Sequence, residues 1–227
     1  MIIDLHVHTR QLSYDSEVDV EEAIQEAKRI GLDCICLTDH NKSWDRDHVQ
    51  ELSTKWDFPV MCGVEVDTAE GHILVFGIQS NFDRVIPARE LRDLVLEEGG
   101  IMIAAHPFRG FLSFGTNVLD LFPEQAFAKP VLQYVDIIEG FNGSSFTREN
   151  HLTLEVAERL SLKTIGGSDA HAIDRIGRCV TIFDNEVHDE TELIRELRTG
   201  NYKPGVMVDG TAVNGYDGFM RAPRLLK

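Results

Sequence analysis

The other motifs of the chain are organised around Met1–Arg10, with the sequence MIIDLHVHTR. Its short apolar run leads into His6 and His8, which are separated by one residue. Side chains alternate between the two faces of a β-strand, so both imidazoles are predicted to lie on one face together with Asp4. The opposite face is predicted to carry Ile3, Leu5 and Val7. Two imidazoles at one strand end can bind a single metal ion, with Asp4 as a candidate hydrogen-bonding partner.

Beyond this strand, apolar runs alternate with segments of helical periodicity. Strands are predicted over 32–37, 58–67, 73–79, 101–105, 135–139, 163–166 and 179–183. Helices are predicted over 18–30, 44–54, 88–99, 147–160 and 190–199. Asp19 and Gly31 are the expected caps of the first helix. This alternation favours an α/β fold, with parallel strands closed or nearly closed as a barrel and the helices outside.

Two segments have no clear pattern. The segment 108–129 is predicted to be a long loop with one short helix, and the Gly-rich tail from Pro204 to be irregular or a short hairpin. The sequence contains no linker, low-complexity tract or internal repeat. A single domain over 1–227 is therefore expected, with the tail 204–227 as its irregular part.

The composition limits the classes of function. The 227 residues carry a formal net charge of −16 and no basic run, which argues against a high-affinity nucleic-acid binder. A small phosphorylated ligand is still compatible with this acidic composition, because bound divalent cations would reverse the sign of the electrostatic field near the site. We expect no membrane partner, because no apolar stretch is long enough to span a bilayer. No signal peptide is recognisable, so a cytoplasmic location is expected.

Histidines and carboxylates recur near the strand ends. They are His6, His8, Asp39, His40, Glu65, Asp67, His72, His106, Glu139, Asp169 and His171. In a parallel barrel the carboxyl ends of all strands meet at one face, where barrel enzymes have their active sites. Imidazole with carboxylate suits zinc, manganese or iron, and the set is too large for one tetrahedral ion. The sequence thus predicts a cluster of two or three ions.

Six stretches, DLHVHT, LTDHN, GVEV, GHILVFG, AHP and GSDAH, resemble the ordered motifs of the polymerase-and-histidinol-phosphatase (PHP) domain family. The match extends from residue 2 to about 184. The compact length and the continuation AIDRIGRCVTIF are similar to the stand-alone metal-dependent phosphoesterases of that family. The resemblance implies a distorted seven-stranded (β/α)7 barrel.

The resemblance also implies roles for individual residues at the metal ions. It places the first ion between His6, His8, Glu65 and Asp169. Glu65 would bridge to a second ion, shared with His72 and His106. The third ion would be held by Asp15, His40 and His171. Of these ligands, Glu65, Asp169 and His171 are expected to be catalytic.

The expected reaction is phosphoester hydrolysis by a metal-bridging hydroxide, because coordination lowers the pKa of water. Arg109 and Arg178, which follow ligand-bearing strand ends, are predicted to contact the substrate. Asn142, which follows Glu139, is predicted to hydrogen-bond a substrate or a metal-bound water. A phosphatase or phosphodiesterase of small metabolites is the favoured function. The alternatives are a nuclease acting on short oligonucleotides and a non-enzymatic metal-binding regulator, the latter disfavoured because every motif residue is present.

Overall fold

The computed structural model describes residues 1–110 and 126–215. The strands are β1 (Ile2–Val7), β2 (Cys34–Leu37), β3 (Val60–Cys62), β4 (Val64–Thr68), β5 (Gly71–Phe76), β6 (Ile101–Ala104), β7 (Ile137–Asn142), β8 (Lys163–Gly167), β9 (Cys179–Phe183), β10 (Tyr202–Val208) and β11 (Thr211–Asn214). The helices are α1 (Val20–Ile30), α2 (Arg46–Trp56), α3 (Ala88–Glu97), α4 (Thr147–Leu160) and α5 (Glu190–Thr199). The predicted alternation of strands and helices is thus largely confirmed.

The strands form two mixed sheets. One has the order β11-β10-β9-β1-β2-β3, with β1, β2 and β3 parallel and the remaining pairs antiparallel. The other has the order β4-β5-β6-β7-β8, in which β6, β7 and β8 are parallel. The α/β class is confirmed, whereas the expectation of parallel strands throughout is wrong.

The two sheets meet at two seams. At one seam the Asp169 amide donates to the His6 carbonyl at 2.7 Å, and the His8 amide donates to the Ala170 carbonyl at 3.1 Å. At the other, the Glu65 amide donates to the Asp39 carbonyl at 3.1 Å. These are single bridges and not ladders. Within 1–110 and 126–215 the strands do not form one closed seven-stranded (β/α)7 barrel.

The predicted strand over 58–67 is in fact two strands, one in each sheet. Gly63 separates β3 from β4, and a Cβ there would lie 2.7 Å from the Val75 carbonyl oxygen. The chain then returns from β4 to β5 through only Ala69 and Glu70. A connection this short cannot hold a crossover helix, so β4 and β5 pair as an antiparallel hairpin. This hairpin accounts for the antiparallel strand β5 in the second sheet.

The first helix begins and ends as its sequence predicts. The Asp19 side chain accepts hydrogen bonds from the amides of Glu21 and Glu22, and Gly31 closes the helix with a φ of 86°. Helix α4 and strand β9 occupy the predicted ranges. The tail forms the β10–β11 hairpin up to Asn214, which is the hairpin alternative and not the irregular one of the two predicted for 204–227. Most of the segment 108–129 lies outside the described residues.

Apolar residues of both sheets pack against each other in the interior. Ile3 and Leu5 of β1 are fully buried there, with Leu74 and Phe76 of β5. Val7 packs instead in the cluster beside α1 and α2, because the register of β1 against β2 shifts between Asp4 and Val7. The prediction of one shared face is therefore wrong for Val7. None of the helices in the described ranges has the length and apolar character needed to cross a bilayer.

Replacing Gly166 with alanine is expected to destabilise the protein. A Cβ at this position in β8 would lie 2.3 Å from the backbone carbonyl oxygen of Val180, which cannot rotate away. We expect the free energy of unfolding in urea to fall by about 3 kcal/mol. Gly99→Ala is the control, because Gly99 has a φ of +72° but open space around it, and strain there costs about 1 kcal/mol. Equal losses for both variants would contradict the steric argument.

Candidate metal centre

The predicted ligands converge where the two sheets meet. His6 lies in β1 and His8 directly follows that strand. Glu65 is the second residue of β4, and Asp169 lies in the turn after β8. The Nε2 atoms of His6 and His8 lie 3.0 Å apart. These four side chains, all buried, place one potential ligand atom each within 4.8 Å of the others. The set is the one that the family resemblance implies for the first ion.

Two carboxylate oxygens at the centre of this group have no hydrogen bond within the described residues. They are Glu65 Oε2 and Asp169 Oδ1, both buried. Glu65 Oε2 lies 3.2 Å from His8 Nε2, and Asp169 Oδ1 lies 3.2 Å from the same atom, without hydrogen-bond alignment. A buried carboxylate oxygen is costly unless it is paired or binds a metal. The donor set therefore fits a divalent cation.

The second oxygen of Glu65 faces a different set of ligands. Its Oε1 atom lies 3.1 Å from His72 Nδ1 and 2.9 Å from His106 Nε2. His72 is the second residue of β5, and it reaches the cluster because antiparallel pairing places it opposite Asp67 in β4. The two oxygens of Glu65 therefore point toward two neighbouring groups of ligands, which is the geometry that a bridging carboxylate requires.

The third predicted set lies at the rim of the site. Asp15 Oδ2 is 3.5 Å from His40 Nε2 and 3.4 Å from His171 Nε2. The rings of His8 and His171 are stacked with their centroids 4.2 Å apart. The same region also offers the nitrogen atoms of His8, His40 and His171 as one group. The structure thus brings together all nine predicted metal ligands.

The protonation of the cluster reflects its dense negative charge. Burial by itself would lower the pKa of His6, but the carboxylates of Glu139, Asp169 and Glu65 raise it well above the ordinary value. Burial would raise the pKa of Glu65, yet His6 and neighbouring histidines hold it well below its usual range. Burial would also raise the pKa of Asp169, but nearby histidines and Arg109 hold that pKa well below its usual range. These carboxylates are therefore ionised and create a field that attracts cations.

His6 and His8 are each oriented by a polar contact on the ring nitrogen that faces away from the cluster. His6 Nδ1 lies 2.9 Å from Glu139 Oε1, which leaves Nε2 to face Glu65 and Asp169. His8 Nδ1 lies 3.2 Å from Ser13 Oγ. A carboxylate or hydroxyl on the outer nitrogen fixes the tautomer and orientation of a metal-binding histidine. The structure therefore assigns to Glu139 the partner role that the sequence suggested for Asp4.

Asp4 has a different role. Its carboxylate accepts hydrogen bonds from the amides of Ser168 and Gly177, each at 2.9 Å. Burial raises the pKa of Asp4 to about 6, although these amides act in the opposite direction. Asp4 thus links β1 to Ser168, which precedes Asp169, and to Gly177, which follows it. The alternation pattern of β1 could not reveal this, because both partners come from the far end of the sequence.

Two further carboxylates organise the site without having been predicted to do so. Asp39 is buried and accepts hydrogen bonds from the Thr9 amide at 2.6 Å, the Ser13 hydroxyl at 2.6 Å and the Trp44 indole at 2.7 Å. It thereby anchors the loop that carries Asp15. Asp67 Oδ1 lies 3.5 Å from His72 Nε2, on the opposite side of the ring from Glu65. The signals in the sequence are their positions at predicted strand ends and, for Asp39, its place within LTDHN.

The predicted substrate residues differ in their surroundings. The Arg109 guanidinium contacts Asp169 Oδ2 and donates to Asn142 Oδ1 at 2.7 Å, so it lies at the cluster. Asn142 is fully buried and also donates to Glu139 at 3.0 Å, which suits holding the site together more than touching a substrate. Arg178 faces Asp174 at 3.5 Å.

The backbone at two ligand positions is held in an unusual conformation. His106 and Asp169 have φ values of 27° and 53°, in the left-handed region that residues other than glycine seldom adopt. The His106 amide donates to Glu139 Oε2 at 2.8 Å, and the Asp169 amide donates to the His6 carbonyl. Such strained residues cluster at functional sites. The strain here aims both side chains into the cluster.

Comparison with known proteins identifies relatives by sequence. A family model described as PHP-associated matches residues 147–202, which include α4, β8 and α5. The uncharacterized protein MJ0417 of Methanocaldococcus jannaschii is 30% identical over 191 residues, which are 81% of this chain and 70% of that protein. A second protein of the same organism, MJ1587, is 27% identical over 131 residues, or 53% of this chain and 77% of its own length.

Solved structures show a similar fold. A protein from Bifidobacterium adolescentis, provisionally assigned as a metal-dependent phosphoesterase, has a TM-score of 0.59 at 16% identity and covers 87% of this chain and 96% of its own. PsfC from Pseudomonas syringae has a TM-score of 0.61 at 20% identity, with 92% of each chain covered. An amidohydrolase from Chromobacterium violaceum has a TM-score of 0.57 at 17% identity, covering 75% of this chain and 87% of its own.

These structural likenesses, all at low identity, establish the fold alone. The PHP-associated match and the relative at 30% identity add evidence from the sequence itself. The ordered histidine and carboxylate motifs, brought together at the seams of the two sheets, agree with both. The chain therefore belongs to the polymerase-and-histidinol-phosphatase domain family.

Proposed function

We propose that this protein is a metal-dependent hydrolase of phosphate esters that acts on small phosphorylated molecules. The single observation that carries the proposal is the buried pair of carboxylate oxygens, Glu65 Oε2 and Asp169 Oδ1, that face His6 and His8 without a hydrogen bond in the described residues. An arrangement of this kind is costly to a protein unless a cation binds to it.

Two or three divalent ions would be held by the nine converging side chains. The first ion would lie between His6, His8, Glu65 and Asp169, the second between Glu65, His72 and His106, and the third between Asp15, His40 and His171. When bound, such ions supply a water nucleophile at neutral pH and neutralise charge on the phosphoryl oxygens. Manganese, zinc and iron all suit imidazole with carboxylate.

Side chains around the cluster orient the metal ligands and the substrate. Glu139 holds His6, and Ser13 holds His8, each through the ring nitrogen that faces away from the cluster. Arg109 brings a guanidinium to the edge of the cluster, where it can contact a phosphoryl oxygen. Asn142 fixes the Arg109 side chain. We propose Glu65, Asp169 and His171 as the catalytic ligands, with Arg109 as the main substrate contact.

The proposal is tested by metal content together with hydrolysis. After purification under metal-replete conditions and dialysis, we expect two or three ions per chain and turnover of p-nitrophenyl phosphate. Chelation should abolish turnover, and addition of manganese, zinc or iron should restore it. Fewer than two bound ions per chain would contradict the cluster.

The alternatives predict different results in the same preparation. A nuclease would cleave a labelled oligonucleotide faster than a nucleoside monophosphate, although the net charge of −16 disfavours binding to a polyanion. A metal-binding regulator would contain the ions but hydrolyse none of these esters. Parallel assays of bis(p-nitrophenyl) phosphate and p-nitrophenyl phosphate would distinguish diester from monoester preference.

A further inference from the structure

A cavity opens beside the second group of ligands, next to Glu65, His72 and His106. Its volume is about 260 Å³, which is small for a ligand pocket. Its walls include His72, His106, Arg109 and Lys129. When the phosphoryl group of a substrate binds at the cluster, the rest of that molecule would therefore lie in this cavity and face Lys129.

Lys129 is held in the wall of this cavity by uncharged groups. It precedes the short 3₁₀ turn Pro130–Gln133 and is half-buried. Its Nζ atom donates to the Pro107 carbonyl oxygen and lies 5.4 Å from the centroid of the Phe108 ring. Within 1–110 and 126–215, no carboxylate lies at ion-pair distance from this ammonium group. Two of its three N–H donors therefore stay available.

The other charged groups of the wall are already engaged. Arg109 contacts Asp169 and Asn142, and Glu70 accepts a hydrogen bond from the Ala88 amide at 2.8 Å. Unlike Arg109, the half-buried Lys129 has no charged partner within residues 1–110 and 126–215. Burial lowers the pKa of Lys129, which reflects the cost of holding this charge away from water. A ligand anion in the cavity would offset that cost.

We propose that Lys129 binds a second anionic group of the substrate, a carboxylate or a phosphate, distinct from the phosphoryl group that is hydrolysed. The inference rests on the proposed phosphoesterase function and names its substrate class: small esters with two acidic groups. The small cavity and the acidic chain both favour a compact anion over a polymer.

A matched pair of substrates tests this assignment. Phenyl phosphate and meta-carboxyphenyl phosphate differ only in the second anionic group. We expect kcat/KM of the metal-loaded protein to favour the carboxylated ester by about tenfold, because a hydrogen bond to a charged group is worth that factor or more. Lys129→Met should bring the ratio of the two values close to one, and Lys129→Arg should retain part of the preference.

Lys203→Met is the matched control, because Lys203 is an exposed residue of β10. It should keep the wild-type ratio. A wild-type ratio near one would overturn the proposal, as would an unchanged ratio in Lys129→Met. Equal losses of both kcat/KM values in Lys129→Met would assign Lys129 to the hydrolysed phosphoryl group instead, and would also overturn it.

Binding of phenylphosphonate and meta-carboxyphenylphosphonate, measured by calorimetry on the metal-loaded protein, separates this proposal from the proposed function. These compounds are not hydrolysed. A binding preference lost in Lys129→Met, without turnover of either ester, would support the role of Lys129 while contradicting the phosphoesterase activity. Turnover of both esters without any preference in binding or rate would support the phosphoesterase activity and contradict the role of Lys129.

Discussion

Glu65→Gln is expected to remove the metal ions and the activity together. Both oxygens of Glu65 face ligand groups, Oε2 toward His6 and His8, and Oε1 toward His72 and His106. A neutral amide of the same shape offers only one oxygen and no charge, so neither neighbouring ion would be held. Loss of charge stabilisation worth several kcal/mol corresponds to a fall in kcat/KM of about a thousandfold or more.

The measurement is metal content per chain by mass spectrometry, together with hydrolysis of p-nitrophenyl phosphate. Glu97→Gln is the control, because Glu97 is exposed on α3 and should leave both quantities unchanged. Near-ultraviolet circular dichroism should show that Glu65→Gln keeps its tertiary packing. Native metal content with native rates in Glu65→Gln would contradict the bridging role.

Asp169→Asn is the second substitution from which we expect a large loss. Asp169 contributes Oδ1 to the group of His6 and His8, and its Oδ2 contacts Arg109. Its φ of 53° lies in the left-handed region, which asparagine also tolerates, so the backbone turn should persist. We expect the first ion to be lost and kcat/KM to fall by about a thousandfold.

The control for this variant shares its backbone conformation. Asp209 has a φ of 48° and is exposed, so Asp209→Asn tests the same chemical change without the cluster. Its metal content, activity and free energy of unfolding should match those of the wild type. Asp169→Asn should lose part of the metal but unfold in a single transition. If its metal content stayed native and only the rate fell, Asp169 would act on the substrate and not as a ligand.

Much of the secondary structure could be predicted from local patterns. The helix over Val20–Ile30, with Asp19 and Gly31 as its caps, follows from periodicity and capping preferences alone. The sheets could not be predicted in the same way. A continuous apolar stretch concealed the break at Gly63, because the reason for that break is the close approach of Val75 from another strand.

The candidate site could also be predicted only in part from the sequence. Histidines and carboxylates near strand ends predicted a metal cluster, and the structure brings these side chains together. The organising role of Asp39 could not be predicted, because it depends on hydrogen bonds from Thr9, Ser13 and Trp44 that form only in the folded chain. Likewise Lys129 follows no motif, and only its place in a cavity beside His106 distinguishes it.

The helices, the order of the motifs and the types of candidate metal ligand follow from the amino-acid sequence, since they depend on neighbours along the chain. The division of the strands into two mixed sheets, and the position of the predicted ligands at the seams between them, are visible only in the folded protein. The tertiary structure also decided that Glu65 faces two groups at once and that Glu139 orients His6. These features arise from packing between segments far apart in the chain, which no local pattern records.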